Sequence, residues 1–433
     1  MRLQSIVTPG TTVSFREAVD KGLAEDGGLY MPVVIPRLSD GFFASLHSMT
    51  FQEIAFNVAR FLLEDEIPDA DLRKIVERSL TFPAPLRRLD ERTSVLELFH
   101  GPTLAFKDFG AQFMAHSMAY LHRNDTEERT ILVATSGDTG SAVAHGFHNA
   151  EGVKVFLLYP SGRVSKIQEQ QLTTMTGNVT ALEIEGSFDD CQHMVKEAFA
   201  DKQLSGRRKL TSANSINIAR LIPQTFYYFN AIARLSERKG PVVFSVPSGN
   251  LGNLTAGLIA WKMGLPADHF IAATNSNDGF TKFLASGVFV AARSVATISN
   301  AMDVGNPSNF ARIKHLFNGS VKEMRAILSS SSYSDDETRE TMVECFRKYN
   351  YMLDPHGAVA ALALRHRNKS ENKFVSGIIL ETAHPAKFLD SYEDWMKNVI
   401  EVPERLRSTL QGTKHSVRLG ARFDDLKSFL MSN

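Results

Sequence analysis

From Ser94 onward, short apolar runs alternate with helical segments, and this alternation restricts the fold more than any other feature of the chain. It is typical of βαβ units, in which helices join parallel strands and cover the faces of a sheet. The clearest predicted strands are 131–135, 153–159, 179–184, 242–246, 270–274 and 377–380. We therefore expect an α/β protein with mostly parallel sheets.

Several predicted strands run into polar or glycine-rich turns. These turns are residues 136–140, 161–165, 248–253, 275–278 and 382–385. Ligands of open α/β sheets bind beyond the carboxyl ends of the strands. We therefore expect the turns to converge on one crevice.

A chain of 433 residues is too long for one ordinary core, which favours two packed domains with an additional region. A first region covers residues 1–92, with an amphipathic helix at 51–63. Further along, the serines at 329–332 predict a surface loop that leads into a helix capped by Ser334.

The overall charge excludes one class of function, because Lys plus Arg and Asp plus Glu both number 48. With no global field to attract nucleic acid, any anion must be bound by a local site. The first residues lack the apolar segment of a signal peptide, and no run of about 18 apolar residues occurs. We expect a cytoplasmic enzyme with a small-molecule substrate and no membrane partner, whose two cysteines, Cys191 and Cys345, are buried thiols.

The segment 248–253, Ser-Gly-Asn-Leu-Gly-Asn, lies between a predicted strand and a helix that runs to about Met263. Small residues allow the backbone to approach an anion, and the N–H groups of the first helical turn stabilise negative charge. The segment matches neither the Walker A motif nor the dinucleotide fingerprint. It predicts a phosphate-binding loop, although a turn without a ligand has the same appearance.

The segment 136–140, Ser-Gly-Asp-Thr-Gly, repeats this arrangement before a helix predicted at 141–150. It is either a second anion site, for a substrate carboxylate or phosphate, or a tight turn. The same helix carries His145 and His148, but no nearby Glu or Cys completes a zinc site, so we expect no metal.

Lys107 lies near the start of a predicted helix, between Phe106 and Phe109. Apolar neighbours and the positive end of the helix dipole favour the neutral amine that a Schiff-base nucleophile requires. From spacing alone, a solvated helix lysine is the more common case.

The segment 97–113, Glu-Leu-Phe-His-Gly-Pro-Thr-Leu-Ala-Phe-Lys-Asp-Phe-Gly-Ala-Gln-Phe, resembles the cofactor-lysine segment of threonine synthases of the bacterial and fungal branch. Other segments similar to that family lie at 14–18, 22–29, 134–142, 186–192, 212–218, 246–253, 301–304, 307–309 and 382–387. The resemblance therefore extends in order from near residue 10 to near residue 390.

The resemblance implies the tryptophan synthase β-like fold, pyridoxal-phosphate fold type II, with two open, mostly parallel sheets flanked by helices. It divides the chain into an N-terminal extension, 1–92, and a catalytic region, 93–433, whose smaller subdomain covers roughly 130–230. It further implies a lyase that uses pyridoxal 5'-phosphate to convert O-phospho-L-homoserine and water to L-threonine and phosphate, by γ-elimination and β-addition.

The resemblance also implies roles for particular residues. Lys107 is the Schiff-base lysine, and Thr382 faces the pyridine nitrogen of the cofactor. A carboxylate at this position would keep that nitrogen protonated, whereas a hydroxyl does not. The residues implied to bind the phosphate of the cofactor are Ser248, Gly249, Asn250, Leu251, Gly252 and Asn253. The substrate carboxylate is assigned to Ser136, Gly137, Asp138 and Thr139, and the candidates for the substrate phosphate are Lys166, Asn214, Ser215, Asn217 and Arg220.

Some alternatives stay open at this stage. Many relatives of this fold have asparagine at the position of Asp138, so the role of this carboxylate is undecided, as are those of His100 and His384. A threonine synthase-like phospholyase would release 2-oxobutyrate, ammonia and phosphate instead of threonine. A non-catalytic protein that kept the fold is a more distant alternative, and the choice between monomer and homodimer is left open.

Overall fold

The computed structural model describes residues 1–236, 238–371 and 374–433. The strands are β1 (Leu3–Ser5), β2 (Thr12–Val13), β3 (Tyr30–Pro32), β4 (Leu86–Arg88), β5 (Thr93–Glu97), β6 (Arg129–Ala134), β7 (Val153–Pro160), β8 (Val179–Ile184), β9 (Lys209–Ser212), β10 (Val242–Pro247), β11 (His269–Thr274), β12 (Leu328–Ser332), β13 (Ser376–Glu381) and β14 (Val417–Leu419). All six strands predicted from apolar runs are present, with ends that differ by at most two residues.

Helices cover most of the remaining chain. They are α1 (Phe15–Lys21), α2 (Asp40–Ser45), α3 (Phe51–Leu63), α4 (Asp69–Ser79), α5 (Lys107–Leu121), α6 (Asp138–Phe147), α7 (Lys166–Thr173), α8 (Phe188–Ala200), α9 (Lys202–Arg207), α10 (Ile218–Leu221), α11 (Phe226–Arg234), α12 (Gly252–Lys262), α13 (Gly279–Ser286), α14 (Phe310–Leu316), α15 (Val321–Ile327), α16 (Asp335–Tyr349), α17 (Pro355–Glu371), α18 (Asp394–Lys397), α19 (Glu404–Leu410) and α20 (Phe423–Ser432). None of those in the described ranges is long and apolar enough to cross a membrane.

The larger sheet has the strand order β12-β11-β10-β13-β5-β4, and only β4 runs antiparallel to its neighbour. Its central strands are buried along their whole length, which explains their continuous apolar sequences. On one face Phe244 and Phe270 pack against Tyr228 of α11. On the other face Val243 and Ile271 belong to the core that α17 covers.

The smaller sheet is entirely parallel, with the order β14-β8-β7-β6-β9. Its outer face packs against α8 and α20, with Leu426 and Leu430 buried beside Met194. The C-terminal segment therefore completes this sheet and its core. Strand β14 of the smaller sheet lies outside the range 130–230 expected for the smaller subdomain, and strand β4 of the larger sheet lies before residue 93, where the catalytic region was expected to begin. The domain boundaries stay a prediction.

The N-terminal region forms a three-stranded antiparallel sheet, β2-β1-β3, and contributes α1 to α4. Helix α3 confirms the predicted amphipathic helix at 51–63, and it begins with a capping box in which Thr50 accepts from the N–H of Glu53. Its apolar face packs against α11, so the extension shares a core with the catalytic region.

Two local predictions were wrong. Residues 329–332 form most of β12, an edge strand parallel to β11, instead of a surface loop. Two of their hydroxyls bond the neighbouring strand, since Ser330 donates to the carbonyl of Ala272 and Ser329 bonds His269, which the polar sequence did not reveal. Helix α6 begins at residue 138 rather than 141. The cap at Ser334 is confirmed, and Cys191 and Cys345 are buried as free thiols.

Candidate active site

A cavity of about 120 Å³ lies between the carboxyl ends of the parallel strands of the two larger sheets. The turns at 136–140, 248–253 and 382–385 all contribute to its wall, together with residues 214–215 and 300–304. The expected convergence is therefore confirmed for three of the five turns. The turns at 161–165 and 275–278 lie outside this wall.

Lys107 is the first residue of α5 and faces this cavity. The segment before it pairs with the segment after β13, because Phe106 donates its N–H to the carbonyl of Thr382 (2.8 Å) and His384 donates to that of Leu104 (3.0 Å). Lys107 and Thr382 are thereby held at the same cavity. Burial lowers the pKa of the Lys107 amine to about 8, with Lys387 and Arg220 acting in the same direction.

The 248–253 loop ends β10 and opens α12. Leu251 has the left-handed φ of 59° that turns the chain into the helix, and Gly249 lies so close to the 300–304 segment that a Cβ atom would be 2.6 Å from Met302 Cα. Asn253 accepts the hydroxyls of two tyrosines through Oδ1, which leaves its buried Nδ2 without a partner at the wall. Ser248 lies outside the wall, with its Oγ bonded to the carbonyl of Val246.

The 136–140 loop folds around Thr135, whose Oγ1 accepts the N–H groups of Gly137 and Gly140. Ser136 and Thr139 face the cavity. Asp138 points away from it and is buried.

Asp138 forms an ion pair with the buried Lys387, at 2.6 Å between Oδ1 and Nζ, and accepts a hydrogen bond from Gln168. Burial by itself would raise the pKa of Asp138, but the charges of Lys387 and Lys107 hold it well below its usual value. The aspartate that was left without a role is thus an ionised partner for a lysine after β13.

The candidates for the substrate phosphate are divided by the structure. Asn214, Ser215 and Arg220 line the cavity. Arg220 is buried without a carboxylate partner among the described residues, and its Nε has no hydrogen bond; burial lowers its pKa to about 10. Asn217 lies outside the wall and donates to the carbonyls of Val19 and Ser212, while Lys166 is exposed at the start of α7.

Two functional candidates escaped the sequence analysis, His356 in the cavity wall and Lys387 behind Asp138. The signal for Lys387 was its place in the 382–387 segment, and that for His356 was the sequence Asp-Pro-His-Gly at the start of α17. His100 bonds Glu97 and His384 caps the following turn, and neither lines the cavity. Within the described ranges no group of three metal-ligating side chains occurs.

The residues around the cavity fit pyridoxal phosphate, because a nucleophilic amine and a helix N-terminus with an unpaired amide donor face one enclosed space. The fold and site define a pyridoxal-phosphate-dependent enzyme of fold type II, and the profile of that enzyme family matches residues 81–380. Profiles for the threonine synthase N terminus and C-terminal part match residues 6–80 and 357–430. The chain belongs to the threonine synthase family, whose members are lyases with this cofactor.

Similar proteins extend over the whole chain. Threonine synthase of Haemophilus influenzae is 43% identical over 434 residues, which cover 100% of both chains. The crystal structure of threonine synthase from Escherichia coli superposes with a TM-score of 0.94 at 41% identity, again over 100% of both chains. A threonine synthase from Brucella melitensis with bound pyridoxal phosphate gives a TM-score of 0.90 at 35% identity, over 100% of this chain and 99% of the other.

Proposed function

We propose that this chain converts O-phospho-L-homoserine and water to L-threonine and phosphate at the cavity around Lys107. The observation that carries the proposal is the position of the Lys107 amine, which shares one cavity with the 249–253 loop and Thr382. Those three features supply a covalent anchor, a phosphate site and a hydroxyl for a pyridine nitrogen. The expected cytoplasmic localisation stays a prediction.

Cofactor phosphate would be held by the N-terminal turn of α12. The backbone of Gly249 to Gly252 can approach an anion closely, and the helix dipole and the free Nδ2 of Asn253 favour negative charge there. Ser248, which the sequence assigned to this phosphate, would not contact it, since its N–H donates to the carbonyl of Ala273 and its hydroxyl to that of Val246; it would anchor the loop to β11. Thr382 would face the pyridine nitrogen without imposing a proton on it.

Lys107 would also move protons during the reaction. Pyridoxal phosphate supplies the electron withdrawal that makes the hydrogens at Cα and then at Cβ of the substrate acidic. The amine of Lys107, with a pKa lowered to about 8, can accept the proton from Cα and return it at Cγ after the phosphate has left that carbon. The proton lost from Cβ would leave with the phosphate. Water would then supply the hydroxyl at Cβ and the proton that restores Cα.

The substrate anions would lie beside the cofactor groups, since Ser215 accepts a hydrogen bond from Asn250 of the 248–253 loop and Arg220 donates one to the carbonyl of Lys107. Ser136 and Thr139 would hold the carboxylate, while Asn214, Ser215 and Arg220 would hold the phosphate, and all five line the cavity. Asp138 and Gly137 support the carboxylate site from outside the wall. We omit Lys166 and Asn217 from the phosphate site because one is exposed and the other is fully used in capping α10.

Product analysis tests the proposed reaction against the phospholyase alternative. Purified protein loaded with pyridoxal phosphate is expected to release threonine and phosphate from O-phospho-L-homoserine in a one-to-one ratio. The measurement is chromatographic quantification of threonine beside a phosphate assay. Formation of 2-oxobutyrate and ammonia as the main products would reject the synthase assignment, and failure to release any phosphate would reject the substrate.

Arg220→Met is expected to raise KM for O-phospho-L-homoserine by about 10-fold to 100-fold, since a hydrogen bond to a charged group contributes about 1.5–3 kcal/mol. The affinity for the cofactor should change little, because the 249–253 loop holds that phosphate. Steady-state kinetics and fluorescence titration of the cofactor measure the two effects. The control is Arg238→Met, which removes a half-exposed arginine that pairs with Asp268. An unchanged KM with weakened cofactor binding would contradict the assignment.

A further inference from the structure

Behind the cavity wall lies a chain of three buried side chains that the proposed reaction does not use: Glu381, Asp354 and His356. Glu381 Oε1 accepts the N–H of Asp354 at 2.5 Å. Asp354 Oδ1 in turn accepts from the backbone N–H of His356 at 2.7 Å and contacts its Nδ1 at 2.5 Å. The imidazole ends the chain at the cavity.

The hydrogen bonds of His356 define its tautomer. Its Nε2 accepts the backbone N–H of Ala301 at 3.2 Å, so this nitrogen carries no hydrogen in that contact. The hydrogen therefore sits on Nδ1 and is donated to Asp354. His356 is thus a neutral ring that accepts a hydrogen bond from Ala301 at Nε2 and donates one to Asp354 from Nδ1.

The same chain explains the glycine that follows His356. Burial raises the pKa of Glu381 well above its usual value, and the neighbouring charge of Asp354 acts in the same direction. A Cβ atom on Gly357 would overlap the Glu381 carboxyl. The N–H of Asp354 and the close approach at Gly357 are accordingly fixed by Glu381 at the end of β13.

Two separate parts of the cavity wall depend on this chain. Ala301 belongs to the 300–304 segment, which lies against Gly249 of the phosphate loop. Thr382 lies between Glu381, whose carboxyl meets Asp354, and Ala383, whose N–H is 3.4 Å from Asp354 Oδ2. One carboxylate–imidazole pair is therefore connected to two parts of the cavity wall, the 300–304 segment and the segment around Thr382.

We propose that His356 and Asp354 are positioning residues, which hold the 300–304 segment against the phosphate loop and fix Thr382 toward the cofactor ring. This inference rests on the proposed cofactor site. Neither residue needs to exchange a proton with the substrate in this role. What matters is the acceptor that His356 offers to Ala301.

Two matched variants test the acceptor at Nε2 of His356 separately from the donor at Nδ1. In His356→Asn the amide takes the place of Nδ1 and can donate to Asp354, but it ends short of Ala301. In His356→Gln the longer side chain places its amide oxygen near the position of Nε2, where it can accept from Ala301. Both variants are uncharged and polar.

We expect His356→Asn to weaken pyridoxal phosphate binding about 10-fold and to shift the absorbance maximum of the bound cofactor, since the part-buried N–H of Ala301 loses its partner. His356→Gln should stay within about 2-fold of the unmodified protein. Equilibrium titration and absorbance spectra give both quantities, and thermal unfolding shows that the variants are folded. The control pair is His269→Asn and His269→Gln, at a buried histidine that bonds Ser329 far from this wall, where cofactor binding should not distinguish the two amides.

Equal behaviour of the two variants at 356, whether both bind normally or both bind weakly, would overturn the inference. Imidazole nitrogen NMR gives a second check, because the unmodified protein should show His356 protonated at Nδ1, and protonation at Nε2 would also overturn it. These failures differ from a failure of the proposed function. An unmodified protein that forms threonine while its variants at 356 are indistinguishable rejects only the positioning role.

Discussion

Replacing Lys107 by alanine is expected to abolish the absorbance band of the lysine-bound cofactor and to lower turnover by at least about 10²-fold to 10⁴-fold, the usual contribution of a positioned proton-transfer group. No other amine faces the cavity among the residues that line it. The phosphate loop is untouched by the change, so pyridoxal phosphate should still bind, with the spectrum of a free aldehyde. Absorbance spectra and threonine formation measure the two effects.

Added primary amines sharpen this test. A small amine such as methylamine can enter the space left by Lys107→Ala and accept the proton from Cα, so part of the turnover should return with increasing amine concentration. Lys107→Arg, which keeps a cation but lacks a nucleophile at neutral pH, should not recover. The variant Lys282→Ala, at an exposed lysine of α13, serves as the control. Retention of both the absorbance band and the turnover in Lys107→Ala would refute the assignment.

The lowered pKa of Lys107 also predicts a pH dependence for the unmodified protein. With a pKa of about 8, roughly a tenth of the amine is neutral at pH 7 before cofactor binds. Formation of the covalent absorbance band from cofactor-free protein should therefore accelerate between pH 6 and about pH 9 and then level off. Stopped-flow absorbance follows this rate, and a rise that continues steadily to pH 10 would show that burial does not shift the pKa.

Replacing Lys387 by methionine is expected to lower the free energy of unfolding by about 3–5 kcal/mol, because it leaves the buried carboxylate of Asp138 without its partner. Lys387 also donates to the carbonyl of Thr103, so the segment before α5 loses a hydrogen bond. Urea unfolding measures the effect. The double variant Asp138→Asn/Lys387→Met removes both charges and should recover most of the lost free energy.

Catalysis should change as well, and the direction follows from the charges that face Lys107. Lys387 and Arg220 lower the pKa of the Lys107 amine, and Asp138 raises it. Without Lys387, the negative charge of Asp138 is no longer offset by a neighbouring lysine. The pKa of the Lys107 amine therefore rises, and less of this amine is neutral at pH 7. The acid limb of the kcat profile should move to higher pH in Lys387→Met, and Lys282→Met should leave it in place. An unshifted profile with normal stability would show that the pair has no influence on Lys107.

Much of the fold was predictable because it depends on local patterns. Apolar runs buried on both faces of a parallel sheet identified β6, β7, β8, β10, β11 and β13. The failure at 329–332 has a physical cause, since serines at a sheet edge pair their hydroxyls with a neighbouring strand that is distant in sequence. A serine-rich edge strand and a surface loop have the same local composition.

The sequence by itself determined the α/β class and the family, and it predicted Lys107 and the 248–253 loop as the cofactor site, because each of these depends on consecutive residues and their local chemistry. Only the tertiary structure decided that Asp138 pairs with Lys387, that Arg220 and Asn253 keep unpaired donors, and that His356 joins Ala301 to the end of β13. Charge state and hydrogen-bond partners depend on groups brought together from distant parts of the chain. No local sequence pattern specifies these charge states and partners, because the strand order of the sheets determines which strand ends lie next to each other.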